Sequence, residues 1–252
     1  MAVGNADVPL QSLLPAEIAD PDDFDTWFEL IRQDAQVAVT QVYNAVSSAL
    51  DAKTEVLRAE EGCNRAVWTL TDTTGLIKTT ASVRSKLFRE LAKVQTGTLP
   101  SLHEVEQRVV GFPDLGRFRI VCDFASDIQC ALRVLLDKGR RVLLSQYPLR
   151  GPVKNYALDL HLRRPDRGHR AYQFAVRVPD TRQCSVEIQL MSLLQDAWDR
   201  RNHPMYEWTR EGGRLPGRLV LSDVALAETL YLVDEQAKRN WRAFLRVRRS
   251  SS

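Results

Sequence analysis

A change of hydrophobic period near Gly97 splits this chain into two kinds of structure. Upstream, Phe24, Trp27, Phe28, Ile31, Ala35, Val42, Val46 and Leu50 recur at helical spacing. An apolar stripe of that kind predicts one or two amphipathic helices up to about residue 60. Asp20-Pro21 provides an N-cap followed by proline at the first helical position, where the missing N–H costs nothing. After a break at 71–75, residues 81–94 read as a further helix, with Leu87 and Leu91 one turn apart. Downstream the period becomes two. Phe118, Ile120 and Cys122 alternate with Arg117, Arg119 and Val121 in a strand over 117–124. Further strands are predicted over 156–162, 172–178 and 184–190, the last two joined by the turn Pro179-Asp180-Thr181-Arg182. Helices are predicted over 127–136, 192–201 and 222–245, the last capped by Ser222 or Asp223 after a loop at 212–217. Helices first, strands in the middle and a helix last imply an α+β fold, with a central mixed β-sheet of about four to five strands flanked by helices. Residues 1–20 read as a flexible arm, 21–245 as the folded domain, and 246–252 as a basic, serine-ended tail.

Composition narrows the function classes. The 252 residues are 44% hydrophobic and 27% charged, a balance that supports a sizeable core. No apolar run is long enough to span a bilayer, and the N-terminus lacks a charged segment followed by an apolar one. These features predict a cytoplasmic protein without membrane partners. Cys63, Cys122, Cys130 and Cys184 show no metal-ligand spacing and read as free thiols of a reducing compartment. A net charge of +3 does not mark a nucleic-acid binder, but its distribution is uneven. Acids gather at Asp20, Asp22, Asp23 and Asp25, whereas arginines crowd 140–182 and 246–249. A basic central stretch suits a phosphate-rich ligand.

Four clusters carry candidate chemistry. Lys78-Thr79-Thr80-Ala81-Ser82, with Lys86 a turn beyond, places a lysine and hydroxyls where a helix begins, a setting that attracts phosphate. Its plainer reading is a helix cap formed by Ser82 or Thr80. Asp114-Leu115-Gly116-Arg117-Phe118-Arg119 places an acid at a strand mouth, where it could hold Mg²⁺, and two arginines on one strand face. A surface salt bridge explains it equally well. Gly168-His169-Arg170-Ala171-Tyr172-Gln173 offers an aromatic ring beside a tight turn. Val186-Glu187-Ile188-Gln189-Leu190 puts a glutamate inside a sheet, where it is costly without a partner and so points to a functional site. Lysines, arginines, a metal-binding acid and a second carboxylate together describe a site for phosphoryl-group chemistry.

The order and spacing of "IKTTASVRSK", "DLGRFRIVCDFASDI", "RGHRAYQFAV" and "VEIQLMSLLQDAWDRRNHPMYE" resemble the RelA/SpoT synthetase domain, in particular its compact form, the small alarmone synthetases. The resemblance spans about residues 21–245 and implies a nucleotidyltransferase-like synthetase fold. It implies Mg²⁺-dependent transfer of the ATP β,γ-pyrophosphate to the 3′-hydroxyl of a guanosine nucleotide, making (p)ppGpp in the stringent response. Carried onto matching positions, it implies that Asp114 binds Mg²⁺ and that Glu187 binds metal or activates the 3′-hydroxyl. It implies that Lys78, Ser82 and Lys86 handle the ATP phosphates and that Arg119 stacks on adenine. His169, Arg170, Gln189, His203 and Arg163 would shape the acceptor site, with Asp159 and Arg164 a weaker match beside Arg163.

The sequence departs from the family pattern at several positions. Leu76 replaces an arginine of the adenine sandwich, Arg117 a glycine, and His169 the tyrosine that stacks on guanine. Ala171 and Gln173 replace a serine and a histidine, and Pro204 should end its helix early. The base pockets change more than the metal and base positions, which leaves other acceptors open. One alternative is a toxic relative, paired with an antitoxin, that modifies adenine nucleotides or tRNA 3′ ends. Another is a non-catalytic nucleotide-binding domain. Family members often form homo-oligomers, although the amphipathic C-terminal helix packs equally well within a monomer. No His/Asp cluster in the N-terminal half suggests the hydrolase domain of long RelA/SpoT proteins.

Overall fold

A computed structural model describes residues 13–61, 67–71, 76–93, 99–136, 143, 146–156, 170–210 and 212–251. Five strands, β1 (Trp68–Leu70), β2 (Gly116–Cys122), β3 (Lys154–Asn155), β4 (Tyr172–Arg177) and β5 (Ser185–Ser192), form one sheet in the order β1-β2-β5-β4-β3. The central β2–β5 pair is parallel and the remaining pairs are antiparallel, so the sheet is mixed. Around it lie α1 (Pro21–Glu61), α2 (Thr80–Leu91), α3 (Leu102–Val110), α4 (Ala125–Leu136), α5 (Leu193–Arg210) and α6 (Gly217–Ser250).

The two sheet faces differ in character because directly paired residues point the same way. Phe118, Ile120, Phe174, Val176, Ile188 and Leu190 share the apolar face and are all buried. There α1 lies across the sheet, with the Tyr43 and Phe118 rings 5.4 Å apart and edge-on. A Cβ on Gly116 would stand 2.3 Å from Val39 Cγ2, so glycine is what lets β2 approach α1 this closely. The opposite face carries Arg117, Arg119, Glu187, Gln189 and Gln173, and α5 runs over it.

Helix α1 is a single 41-residue helix, and Asp20 caps it by accepting the Asp22 N–H at 2.9 Å. Helix α2 is capped by Thr79, not by Thr80 or Ser82. The expected alternation of β2, the β4–β5 hairpin and α4 are all present, and Arg182 and Gln183 take positive φ in the hairpin turn. Among the described residues no helix is long and apolar enough to cross a membrane.

Several expectations need correction. The segment 1–20 is not an arm throughout, because Leu14 and Ile18 are buried in the core. Helix α5 runs straight through Pro204. Pro204 and Arg200 are both exposed, so the carbonyl freed by the missing N–H faces the solvent side. Helix α6 opens after Pro216, whose fixed φ suits a helix start, and Ser222 and Asp223 lie inside it. The tail from 246 to 250 belongs to the same helix. Helix α3 was not anticipated, although Ser101 and Glu104 form a complete capping box. Strand β1 is too short to show a period. Beyond Tyr156, the strand expected over 156–162 lies outside the described residues, as does Cys63, while Cys122, Cys130 and Cys184 are free thiols.

Candidate active site

The loop between α3 and β2 delivers Asp114 to the mouth of β2, held by the buried Phe112 and Leu115 on either side. The chain before α2 runs alongside it. Lys78 N–H donates to the Leu115 carbonyl at 3.1 Å, and Ile77 bridges Gly116. This brings Lys78 Nζ to 2.9 Å from one Asp114 oxygen, while Lys86, a turn into α2, reaches the other at 2.5 Å. Lys86 Nζ also lies over the Phe112 ring, 4.3 Å from its centroid. Burial works against ionisation of Asp114, but the hydrogen bonds and charges of Lys86 and Lys78 outweigh it and hold the carboxyl below its ordinary value. Lys78 moves down as well, because burial outweighs the attraction of Asp114, and Arg117 and Lys86 add repulsion.

Glu187 stands on β5 directly opposite Arg117 of β2. Its Oε1 accepts from Gln189 Nε2 at 2.7 Å. Burial pushes its carboxyl above the ordinary value, Gln189 opposes that, and the charge of Asp114 raises it further. Two carboxylates in one field therefore titrate in opposite directions, a pattern typical of sites that do proton chemistry.

Beside this charged corner the polar sheet face opens into a cleft of about 510 Å³, bounded by α5 and the start of α6. That is room for a nucleotide-sized ligand. Gln189, Gln173, Arg119, Trp198, His203 and Tyr206 line it, together with Arg117. The structure thus brings Lys78, Lys86, Asp114 and Glu187 together, and places Arg119, Gln189 and His203 in the adjoining cleft. Ser82 sits in the first turn of α2 and donates its N–H to Thr79 Oγ1 at 3.3 Å.

Other expected residues behave differently. The Arg119 guanidinium is tied to α5, with 3.0 Å to Asp196 and 2.5 Å to Asp199. Arg170 is buried away from the cleft. Its guanidinium pairs with Glu228 of α6 and lies over the Tyr231 ring, 4.2 Å from the centroid, as a buried cation requires both charge and contact. His203 bonds Glu207 one turn on, at 3.2 Å. His169, Arg163, Asp159 and Arg164 lie outside the described residues. The sequence reading overlooked Asp196, Asp199, Asn202 and Tyr206. Their spacing along one helical face was a usable signal.

The same arrangement of helices and strands occurs in solved structures. Small alarmone synthetase 1 from Bacillus subtilis, bound to its product pppGpp, superposes with a TM-score of 0.58 at 20% identity, over 86% of this chain and 96% of that one. The same protein bound to AMPCPP gives 0.53 at 18% identity, over 89% and 98%. A GTP pyrophosphokinase family protein from Streptococcus pneumoniae gives 0.57 at 14% identity, over 89% and 96%. The fold is that of the small alarmone synthetases. By sequence the chain matches no protein-family model and no curated protein. What it shares with this fold group is therefore architecture, and the chemistry has to be argued from the residues of its own site.

Among the described residues no group of three or more His, Cys, Asp or Glu side chains gathers as a metal cage. Mg²⁺ does not need one. It characteristically takes one or two carboxylates, and substrate phosphates and water complete its shell. Asp114 and Glu187 are hard oxygen donors close enough to sense one another's charge, a set that fits this ion.

Proposed function

We propose that this chain is an ATP:nucleotide 3′-pyrophosphokinase that makes (p)ppGpp from ATP and a guanosine nucleotide. The observation that carries the reading is Glu187, a carboxylate of raised proton affinity that senses the lysine-held Asp114 and is bonded to Gln189 of a nucleotide-sized cleft. Glu187 accepts the proton of the acceptor 3′-hydroxyl. The freed oxygen forms a bond to the β-phosphorus of ATP, the bond from that phosphorus to the α,β-bridging oxygen breaks, and AMP leaves with the electron pair. Lys78 and Lys86 hold the phosphate chain in line, and Gln189 fixes the orientation of Glu187. Mg²⁺ would be held by Asp114 and Glu187 and would supply neutralisation of phosphate charge. Two solved structures of this fold, one bound to pppGpp and one to AMPCPP, support nucleotides as the ligands.

A second reading concerns the acceptor. Gln173 faces the cleft where the resemblance calls for histidine, and Leu76 stands where it calls for arginine, so base recognition here is differently built. An adenine nucleotide or a tRNA 3′ end as acceptor would make the protein a growth inhibitor with a cognate antitoxin. Purified protein is incubated with γ-labelled ATP and Mg²⁺ against GDP, GTP, AMP, ADP and deacylated tRNA separately. Label on GDP or GTP is the expected result. Label only on adenine nucleotides or tRNA replaces the acceptor, and label on none refutes catalysis and leaves a nucleotide-binding domain.

A further inference from the structure

Arg117 lines the cleft and also belongs to the charged corner. It stands opposite Glu187 in the β2–β5 register, its charge reaches both Lys78 and Glu187, and its side chain borders the cleft. It is exposed, and among the described residues its guanidinium makes no hydrogen bond or ion pair. Arg119, two residues along the same strand face, is committed to Asp196 and Asp199. The two arginines therefore have different duties. Arg119 braces α5 against the sheet, and Arg117 is the guanidinium left to meet a ligand.

The local charge count says which kind. Lys78, Lys86 and Arg117 bring three positive charges, while Asp114 and Glu187 bring at most two negative ones. A surplus of positive charge beside a desolvated carboxylate is filled by an anion, and a guanidinium fork matches phosphate oxygens bidentately. We propose that Arg117 grips the phosphate chain of the bound nucleotide, as a binding residue specific to this chain, while Arg119 serves as a positioning residue. The inference rests on the nucleotide reading of the site, but not on the transfer reaction.

The test is calorimetric binding of tripolyphosphate, AMPCPP and adenosine to the wild type and to Arg117→Gln, Arg117→Lys and Arg119→Gln. Thermal melting of each variant checks the fold. Arg117→Gln is expected to weaken tripolyphosphate and AMPCPP at least ten-fold and to leave adenosine unchanged. Arg117→Lys should recover part of the loss, since charge returns without the fork. Arg119→Gln should melt earlier, because it releases α5 from the sheet. Unchanged tripolyphosphate affinity in Arg117→Gln overturns the proposal, and so does an equal loss of adenosine, which would make Arg117 a base-stacking residue. A wild type that binds tripolyphosphate through Arg117 but transfers no pyrophosphate would remove the proposed reaction and keep this inference. A wild type that does not bind tripolyphosphate would overturn it.

Discussion

Asp114, at the mouth of β2, and Glu187, on the paired β5, are both partly removed from water, yet their surroundings treat them in opposite ways. Asp114 has an ammonium group on each oxygen, and its negative charge is secured. Among the described residues Glu187 touches only the neutral amide of Gln189; Arg117 and Lys154 act on it from farther off and do not offset its burial and the charge of Asp114, so its proton affinity rises. The contrast shows how one desolvated corner can hold a fixed charge and a proton acceptor side by side. Counter-charge decides the division, and burial is common to both.

The strongest way to break the comparison is Glu187→Gln, which keeps the shape and removes the proton acceptor. Pyrophosphate transfer should fall by about 10²–10⁴-fold, the usual range for a general base. The wild-type pH–rate profile should show an acid limb that vanishes in the variant. Wild-type turnover by Glu187→Gln would end the base assignment. Asp114→Asn tests the other side. It should lower transfer and also cost about 1–3 kcal/mol of stability in denaturant titration, because Lys78 loses its counter-charge in a half-buried place. If Asp114→Asn melts like the wild type, the lysines do not depend on it.

Gly116→Ala probes the scaffold beneath both acids. Its Cβ would meet Val39 on α1, and overpacking of this kind costs about 1–3 kcal/mol. An unchanged melting temperature would show that β2 does not need the close approach. The smallest effect is expected at a third acid, Asp234 of α6. Burial lifts its carboxyl to about 6, while it accepts the Ala125 N–H at 2.6 Å, and Asp127 and Glu235 add repulsion. Lys238, the nearby cation, is paired with Asp127 at 3.0 Å. A folded value above the unfolded one means that the native state binds the proton more tightly. Stability from this group is therefore present in acid and lost as pH rises through about 6. Asp234→Asn keeps the acceptor, so the dependence of melting temperature on pH between the ordinary value of 3.8 and about 6 should flatten. A slope identical to the wild type would clear Asp234 of any part in it.

Much of this was legible in the sequence, for reasons that can be named. Strand β2 was readable because Phe118 and Ile120 face α1 while Arg117 and Arg119 do not, the alternation of a strand polar on one side. Glu187 stood out because a carboxylate amid Val186 and Ile188 contradicts its surroundings. The pairing of Lys78 with Asp114 was hidden, since it depends on an isolated bridge between Ile77 and Gly116 across a long stretch of chain. The hold of Asp196 and Asp199 on Arg119 was equally hidden, because it links a helix to a strand about eighty residues away. Local pattern reports the elements, whereas which charges meet depends on how the elements are stacked.

The far end of α1 has one more consequence. Trp241 donates its indole N–H to Glu61 at 3.3 Å, and Arg249 donates to the Glu60 carbonyl at 2.8 Å. A helix near the beginning of the sequence is thus latched by residues 180 and 189 positions later. During synthesis α1 emerges early but stays unlatched until the last turns of α6 have left the ribosome. Closure at this end of the molecule therefore waits for α6, however early α1 has formed.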